Sequence, residues 1–197
     1  MPMLTQSDLT ASIQAYERVA HESIAKAKGV LLPSPTTLPF STKGLSEERI
    51  VELSRSVPTK GNKADQGAEF IYVFRLSSSN TISPSEILSA FNAARAFQES
   101  GDYEGKKNLC RPHPLSPTSR ALYVGRSYGP RERFKGHLRS STSGTYAIHF
   151  AAWASAIDLR VDFHLYRFSG VGDRVIQVLE DGLWDHLQPM LGRRGEK

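Results

Sequence analysis

Cysteine is almost absent from this chain: Cys110 is the only one in 197 residues. A single thiol excludes an internal disulfide framework and cannot by itself build a thiolate metal site. No apolar run approaches the roughly 18 residues that a membrane span needs, so a membrane function has no support. The opening MPMLTQSDLT lacks the charged-then-apolar profile of a signal peptide, and the sequence reads as cytoplasmic. An acidic excess is missing too. Lys and Arg number 25 against 20 Asp and Glu, with a sequence pI near 9.4. So modest a surplus matters only where it gathers. It gathers in LYVGRSYGPRERFKGHL, residues 122 to 138, and in the closing GRRGEK. The hydrophobic content of 39% is enough for the core of one domain with an appendage.

Two regions of different character follow one another without an internal repeat. The first, residues 1 to 60, is read as helical. Leu9, Ile13, Tyr16, Ala20, Ile24 and Ala27 recur at spacings of three and four until Gly29 and the PSPTTLP run break the pattern. Ser46 is a suitable N-cap for EERIVELSRSV, with Leu45 and Ile50 as a hydrophobic staple.

The second region, residues 61 to 197, begins with EFIYVFRL, whose aromatic and branched residues read as a buried strand. Next, ISPSEI offers Ser83 as N-cap, Pro84 at the first helical position and Glu86 as capping-box partner, predicting a helix to about Ser100. GDYEGKKNLCRPHPLSPTSR reads as an exposed loop, ALYV as a second strand, and Pro130 as the start of a helix. TYAIHFAAWASA reads as a buried helix, and LRVDFHLYRF as a half-buried strand with Leu159, Val161, Phe163 and Leu165 on one face. A last helix runs from Asp173 to Gln188, where Pro189 stops it.

Two helices carry side chains that packing alone does not explain. After Pro130, Arg133 and His137 are four apart and project together. A guanidinium suits an anionic phosphate, and an imidazole beside it can take a proton near neutral pH; the alternative is a basic helix face that merely meets water. In the last helix Glu180 falls inside the apolar arc of Ile176, Leu179, Leu183, Trp184 and Leu187. A carboxylate there must be paired, protonated or bound to a cation; the alternatives to a metal are a salt bridge to a core arginine or a marginal position that reaches solvent.

FIYVF, LYVGRS, an arginine ten residues after Tyr123, a histidine four later, and VLEDGLWDHLQPMLGRRG together resemble the GIY-YIG nuclease family over residues 69 to 195. What the resemblance implies is an α+β fold with a small three-stranded antiparallel sheet flanked by helices, here preceded by the helical region and interrupted by an insertion at about 77 to 120. It implies a metal-dependent endonuclease acting on DNA, with RNA not excluded, in which Tyr72 and Tyr123 line the site. Arg133 would contact the scissile phosphate, His137 or an activated Tyr123 would help deprotonate water, and Glu180 would bind one Mg2+ or Mn2+. The basic residues Arg126, Arg131, Lys135 and Arg139 would hold nucleic-acid phosphates. A palindromic cutter would favour a two-fold homodimer.

The sequence departs from the family pattern at three points. Phe70 stands where a glycine would begin the first motif, 51 residues separate Tyr72 from Tyr123, and Gly192 stands where many members have asparagine. The last departure supports a second reading, a nucleic-acid-binding module without turnover. A third, a protein-interaction domain, rests on the amphipathic N-terminal helices. The insertion, with Lys106, Lys107 and Arg111, is expected beside the cleft and in charge of substrate choice. Cys110 and His113 lack the further ligands of a zinc site, SGVGDR reads as a turn, and His149 and His164 have packing or surface roles.

Overall fold

The computed structural model of the chain describes residues 4–60, 63–115, 119–142 and 144–195. Its helices and strands are α1 (Gln6–Lys28), β1 (Thr36–Ser41), α2 (Glu47–Ser54), β2 (Ala68–Leu76), α3 (Pro84–Glu99), β3 (Ala121–Ser127), α4 (Pro130–Leu138), α5 (Phe150–Trp153), β4 (Arg160–Ser169) and α6 (Asp173–Leu187). The sheet has four strands in the order β1-β4-β2-β3, and all neighbours are antiparallel. No helix among the described residues is long and apolar enough to cross a membrane.

Central β2 is buried on both faces, and its residues alternate between two apolar layers. Phe70, Tyr72, Phe74 and Leu76 enter the main core, where they meet Phe134 and Leu138 of α4, Phe150 of α5, and Ile87 and Phe91 of α3. Ile71 and Val73 enter the opposite layer beneath Ile176, Leu179, Leu183 and Trp184 of α6. Helix α6 thus covers one face of the sheet, helices α2 to α5 cover the other, and α1 lies against α6.

The expected three-stranded sheet is corrected by β1, which pairs with β4 from Thr36↔Leu165 to Ser41↔Arg160. Its prolines read as a break, and Pro39 has no N–H to give to a ladder. That is acceptable because β1 is an edge strand and Pro39 stands in the register opposite Asp162. Phe40 of β1 and Ile50 and Leu53 of α2 join the main core, so the core crosses the division expected at residue 60.

The helix expected over TYAIHFAAWASA is also corrected. Only Phe150–Trp153 is α-helical, followed by a 3-10 turn at Ala154–Ala156, because His149 takes a left-handed conformation with φ 52° that no helix can continue through. Before it, Ala147 bridges to Leu109, so the chain there is extended. The same pairing revises the exposed loop: Asn108, Leu109, Cys110 and His113 are buried, while 101–107 stay at the surface. Residues 116–118 of that stretch lie outside the described residues.

Elsewhere the local signals hold. Ser83 Oγ accepts from the Glu86 N–H at 3.3 Å, and Glu86 Oε2 accepts from the Ser83 N–H at 3.0 Å, closing the capping box of α3. Ser46 Oγ accepts from the Arg49 N–H and starts α2. Helix α1 keeps its period but buries little of it, with Leu9, Ile13 and Tyr16 all more than half exposed.

Candidate active site

The two motif tyrosines come from adjacent strands and the same face of the sheet. In the β2–β3 register Tyr72 faces Gly125 and Phe74 faces Tyr123. The rings lie nearly parallel, 6° apart in plane, with centroids at 6.2 Å. Gly125 makes room for them, since a Cβ there would stand 2.6 Å from the Tyr72 hydroxyl.

Helix α4 brings Arg133 and His137 onto this pair, one turn apart as their spacing predicts. Arg133 donates from Nε to Tyr72 Oη at 3.0 Å, and from Nη2 to Tyr123 Oη at 3.2 Å and to the Tyr146 carbonyl at 3.0 Å. His137 lies beneath them, fully enclosed. Its Nδ1 accepts from the Ile148 N–H at 3.2 Å, so the ring proton of the neutral imidazole sits on Nε2, which donates to Tyr72 Oη at 3.1 Å. Burial, reinforced by the Arg133 charge, holds the His137 pKa well below its ordinary 6.5. With both nitrogens engaged and no exposed surface, His137 does not reach a water in the cleft, against the direct-base role expected for it.

Burial also raises the Tyr72 and Tyr123 pKa values, with the Arg133 guanidinium pulling against it. Both are therefore neutral phenols near pH 7. Arg133 remains charged because the phenolic oxygen of Tyr72, and then of Tyr123, favours its cationic form.

Glu180 approaches from the other face of the sheet. Arg126 is paired in register with Ile71, on the side that α6 covers, and Asp173, Gln177 and Glu180 form one stripe of α6 facing it. Arg126 contacts Asp173 at 2.5 Å, Gln177 at 2.8 Å and Glu180 Oε2 at 3.1 Å, with Glu69 at 3.8 Å. The core arginine considered as an alternative partner for Glu180 is thus present. Arg126, expected to hold a phosphate, is engaged by these acids and its side chain is only 14% exposed. Burial raises the Glu180 pKa, and Arg126 opposes the rise.

The other expected phosphate contacts are likewise engaged within the fold. Arg131 donates to the carbonyls of Val57 at 2.6 Å and Arg55 at 3.0 Å, which ties α4 to the end of α2. Arg139 makes a two-pronged ion pair with Glu47, and Lys135 pairs with Glu132 at 2.9 Å. All four cations therefore have an acid or a backbone carbonyl of the chain as partner.

The two halves meet at the β3 edge in a cleft of about 300 Å³ lined by Tyr123, Arg133, Tyr146, Glu180, Arg111 and Arg193, among others. A larger groove of about 470 Å³ between α1 and α6 touches Arg126 but not Arg133, Tyr72 or Tyr123. At the cleft wall Gly192 has φ 96°, and a Cβ on it would stand 2.8 Å from Tyr123 Cε2. An asparagine could not stand there without moving that ring.

Among the described residues no three or more His, Cys, Asp or Glu side chains gather into a metal cage. A cation at Glu180 would therefore have at most one further such ligand. That suits Mg2+, which commonly binds through one or two carboxylates with substrate phosphate and water. Arg126 Nε contacts Oε2 at 3.1 Å, and the carboxylate also accepts from the Arg126 backbone N–H. Cys110 is buried with its thiol pushed up to about 12 by burial, and His113 stacks on Trp184 at 4.7 Å with Nδ1 accepting from the Leu115 N–H at 3.1 Å. His149 is buried with Nδ1 on the Arg139 carbonyl, and His164 bonds Thr37. No family model, curated protein or solved structure matches the chain.

Sequence reasoning missed Glu69, Asp173, Tyr146 and Arg193. A signal for Glu69 existed: it shares the period-2 face of Ile71 and Val73, an acid on an apolar stripe as Glu180 is.

Proposed function

We propose that the chain is a divalent-metal-dependent endonuclease of GIY-YIG type that hydrolyses phosphodiester bonds in DNA. The observation that carries this reading is Arg133 donating to both Tyr72 and Tyr123 at the wall of a cleft that also holds Glu180. A partly buried guanidinium fixed by two phenols is preorganised to stabilise charge that develops on a phosphate.

Glu180 would hold Mg2+ or Mn2+, while Arg126 keeps the carboxylate oriented. A bound divalent ion supplies Lewis-acid stabilisation of the phosphoryl oxygens and a more acidic water. Tyr123 lines the cleft, and its Oη, polarised by Arg133, accepts a hydrogen bond from the attacking water and sets its line of approach. His137 acts through Tyr72: its Nε2–H and Arg133 Nε–H converge on one phenolic oxygen and fix the ring against which Arg133 is aimed.

The second reading, a nucleic-acid-binding module without turnover, is favoured by Gly192, where the fold leaves no space for the asparagine of many family members. Incubating the protein with plasmid, branched DNA and RNA in Mg2+ and in Mn2+ separates the two. Divalent-dependent cleavage supports the nuclease, and binding without cleavage supports the module.

A further inference from the structure

Tyr146 is 64% exposed, yet little about it is loose. Its carbonyl accepts from Arg133 at 3.0 Å. The next residue, Ala147, is pinned on both sides: its N–H donates to the Asn108 carbonyl at 3.2 Å, and its carbonyl accepts from the Cys110 N–H at 2.9 Å. A large aromatic ring is thereby held in water at the mouth of the cleft, where folding gains nothing from it. Tyr146 also lines two further depressions that continue from the cleft toward the inserted segment. Arg111, Lys107 and Arg95 line one of them. Arg111 has no side-chain partner among the described residues, Lys107 reaches only the Glu99 carbonyl at 3.5 Å, and Arg95 pairs with Glu99 at the surface. The cleft, the aromatic and the cations form one continuous path.

We propose that Tyr146 is a stacking platform for an unpaired nucleobase beside the scissile phosphate, and that Arg111 and Lys107 take the phosphates of the same strand, so that the substrate is single-stranded or branched nucleic acid. This rests on the reading of Arg133 as the phosphate-binding group. The base nearest a phosphate held by Arg133 must lie close to Tyr146, because one backbone carbonyl joins the two residues. In an uninterrupted duplex that base is stacked between its neighbours and offers no face to a protein ring. A strand with free bases offers its faces to aromatics and its backbone to cations without regard to sequence.

The test measures binding with Ca2+ replacing the catalytic ion, using oligonucleotides that carry 2-aminopurine: a single DNA strand, a flap, a continuous duplex, and the single strand as RNA. Wild-type protein is expected to quench the probe in the strand and the flap. Tyr146→Ala should remove the quenching and weaken both about tenfold, within the range seen for loss of one stacked base. Tyr146→Trp should retain both properties, and duplex affinity should change less than twofold for either variant. Comparable DNA and RNA strands would show that the base face alone is read, and a preference for one would place the sugar in the path as well. An equal loss on duplex and single strand, or quenching that persists in Tyr146→Ala, overturns the proposal. Because binding is read without turnover, a wild-type protein that quenches but never cleaves would refute the nuclease and leave the stacking platform standing. A wild-type protein that binds none of the four would refute both.

Discussion

Gly192 packs so closely on Tyr123 that a Cβ on the glycine would lie 2.8 Å from ring atom Cε2. The contact joins the tail after α6 to β3, where the Met190 and Leu191 N–H groups already donate to the Ala121 and Leu122 carbonyls at 2.9 Å. With φ at 96°, the position penalises any side chain twice, by conformation and by collision. Gly192→Ala is expected to cost about 1–3 kcal/mol of stability and to reduce turnover by displacing Tyr123. Gly192→Asn should also lower activity, since its side chain meets the same ring. Thermal unfolding and initial rates of both variants check this, and a rate gain in Gly192→Asn would show that Tyr123 is not held by the glycine.

The cations divide into those used by the fold and those facing the cleft. Arg111→Ala and Arg193→Ala should each reduce the salt dependence of nucleic-acid binding, since a lost phosphate contact lowers the slope of log K against log salt by about 0.7 on a single strand. Arg131→Ala should leave the slope unchanged and cost about 1 kcal/mol of stability through the carbonyls it abandons. Arg139→Ala should lose only its exposed pair with Glu47, worth about 0–1 kcal/mol. Affinity titrations across a salt series, paired with denaturation curves, separate the two groups; a flat slope change across all four would mean that binding is diffuse.

Much of the site could be read before the fold was known, and the reason is local. The Arg133–His137 pair, the Ser83–Glu86 box and the place of Glu180 in the α6 stripe depend on helical periodicity within a few residues. What could not be read depends on partners far away in sequence. Arg126 looked like a phosphate ligand because its acids come from β2 and α6, at Glu69, Asp173 and Glu180. Strand β1 was hidden by Pro39, which excludes a central strand but not an edge, and its partner β4 is more than a hundred residues on. Helix α5 was overestimated because composition does not reveal that His149 is left-handed.

His137 gives the stability a predictable pH dependence. Burial, then the Arg133 charge, lowers its folded pKa below the unfolded value of 6.5. The unfolded chain therefore binds more protons, and stability present above pH about 6.5 is lost as the pH falls toward the folded pKa. Glu69 and Glu180, raised chiefly by burial, act in the opposite sense above pH 4.5. The informative quantity is thus the difference between wild type and His137→Gln, measured as unfolding midpoints from pH 7.5 to 5. Wild type should lose more stability across that window than the variant, and parallel curves would show that His137 is not a buried neutral imidazole.

The central claim, that Glu180 holds a catalytic cation beside Arg133, is tested most directly by Glu180→Gln. The substitution keeps the shape and removes the charge. We predict that divalent-dependent cleavage falls by at least about a hundredfold, as when a catalytic electrostatic contribution of about 3 kcal/mol is lost. Nucleic-acid affinity in the absence of divalent ions should stay within about threefold of wild type, because Arg133, Tyr123 and the cleft cations are untouched. Cleavage by Glu180→Gln at the wild-type rate would contradict the account and leave Glu180 as no more than the buried partner of Arg126.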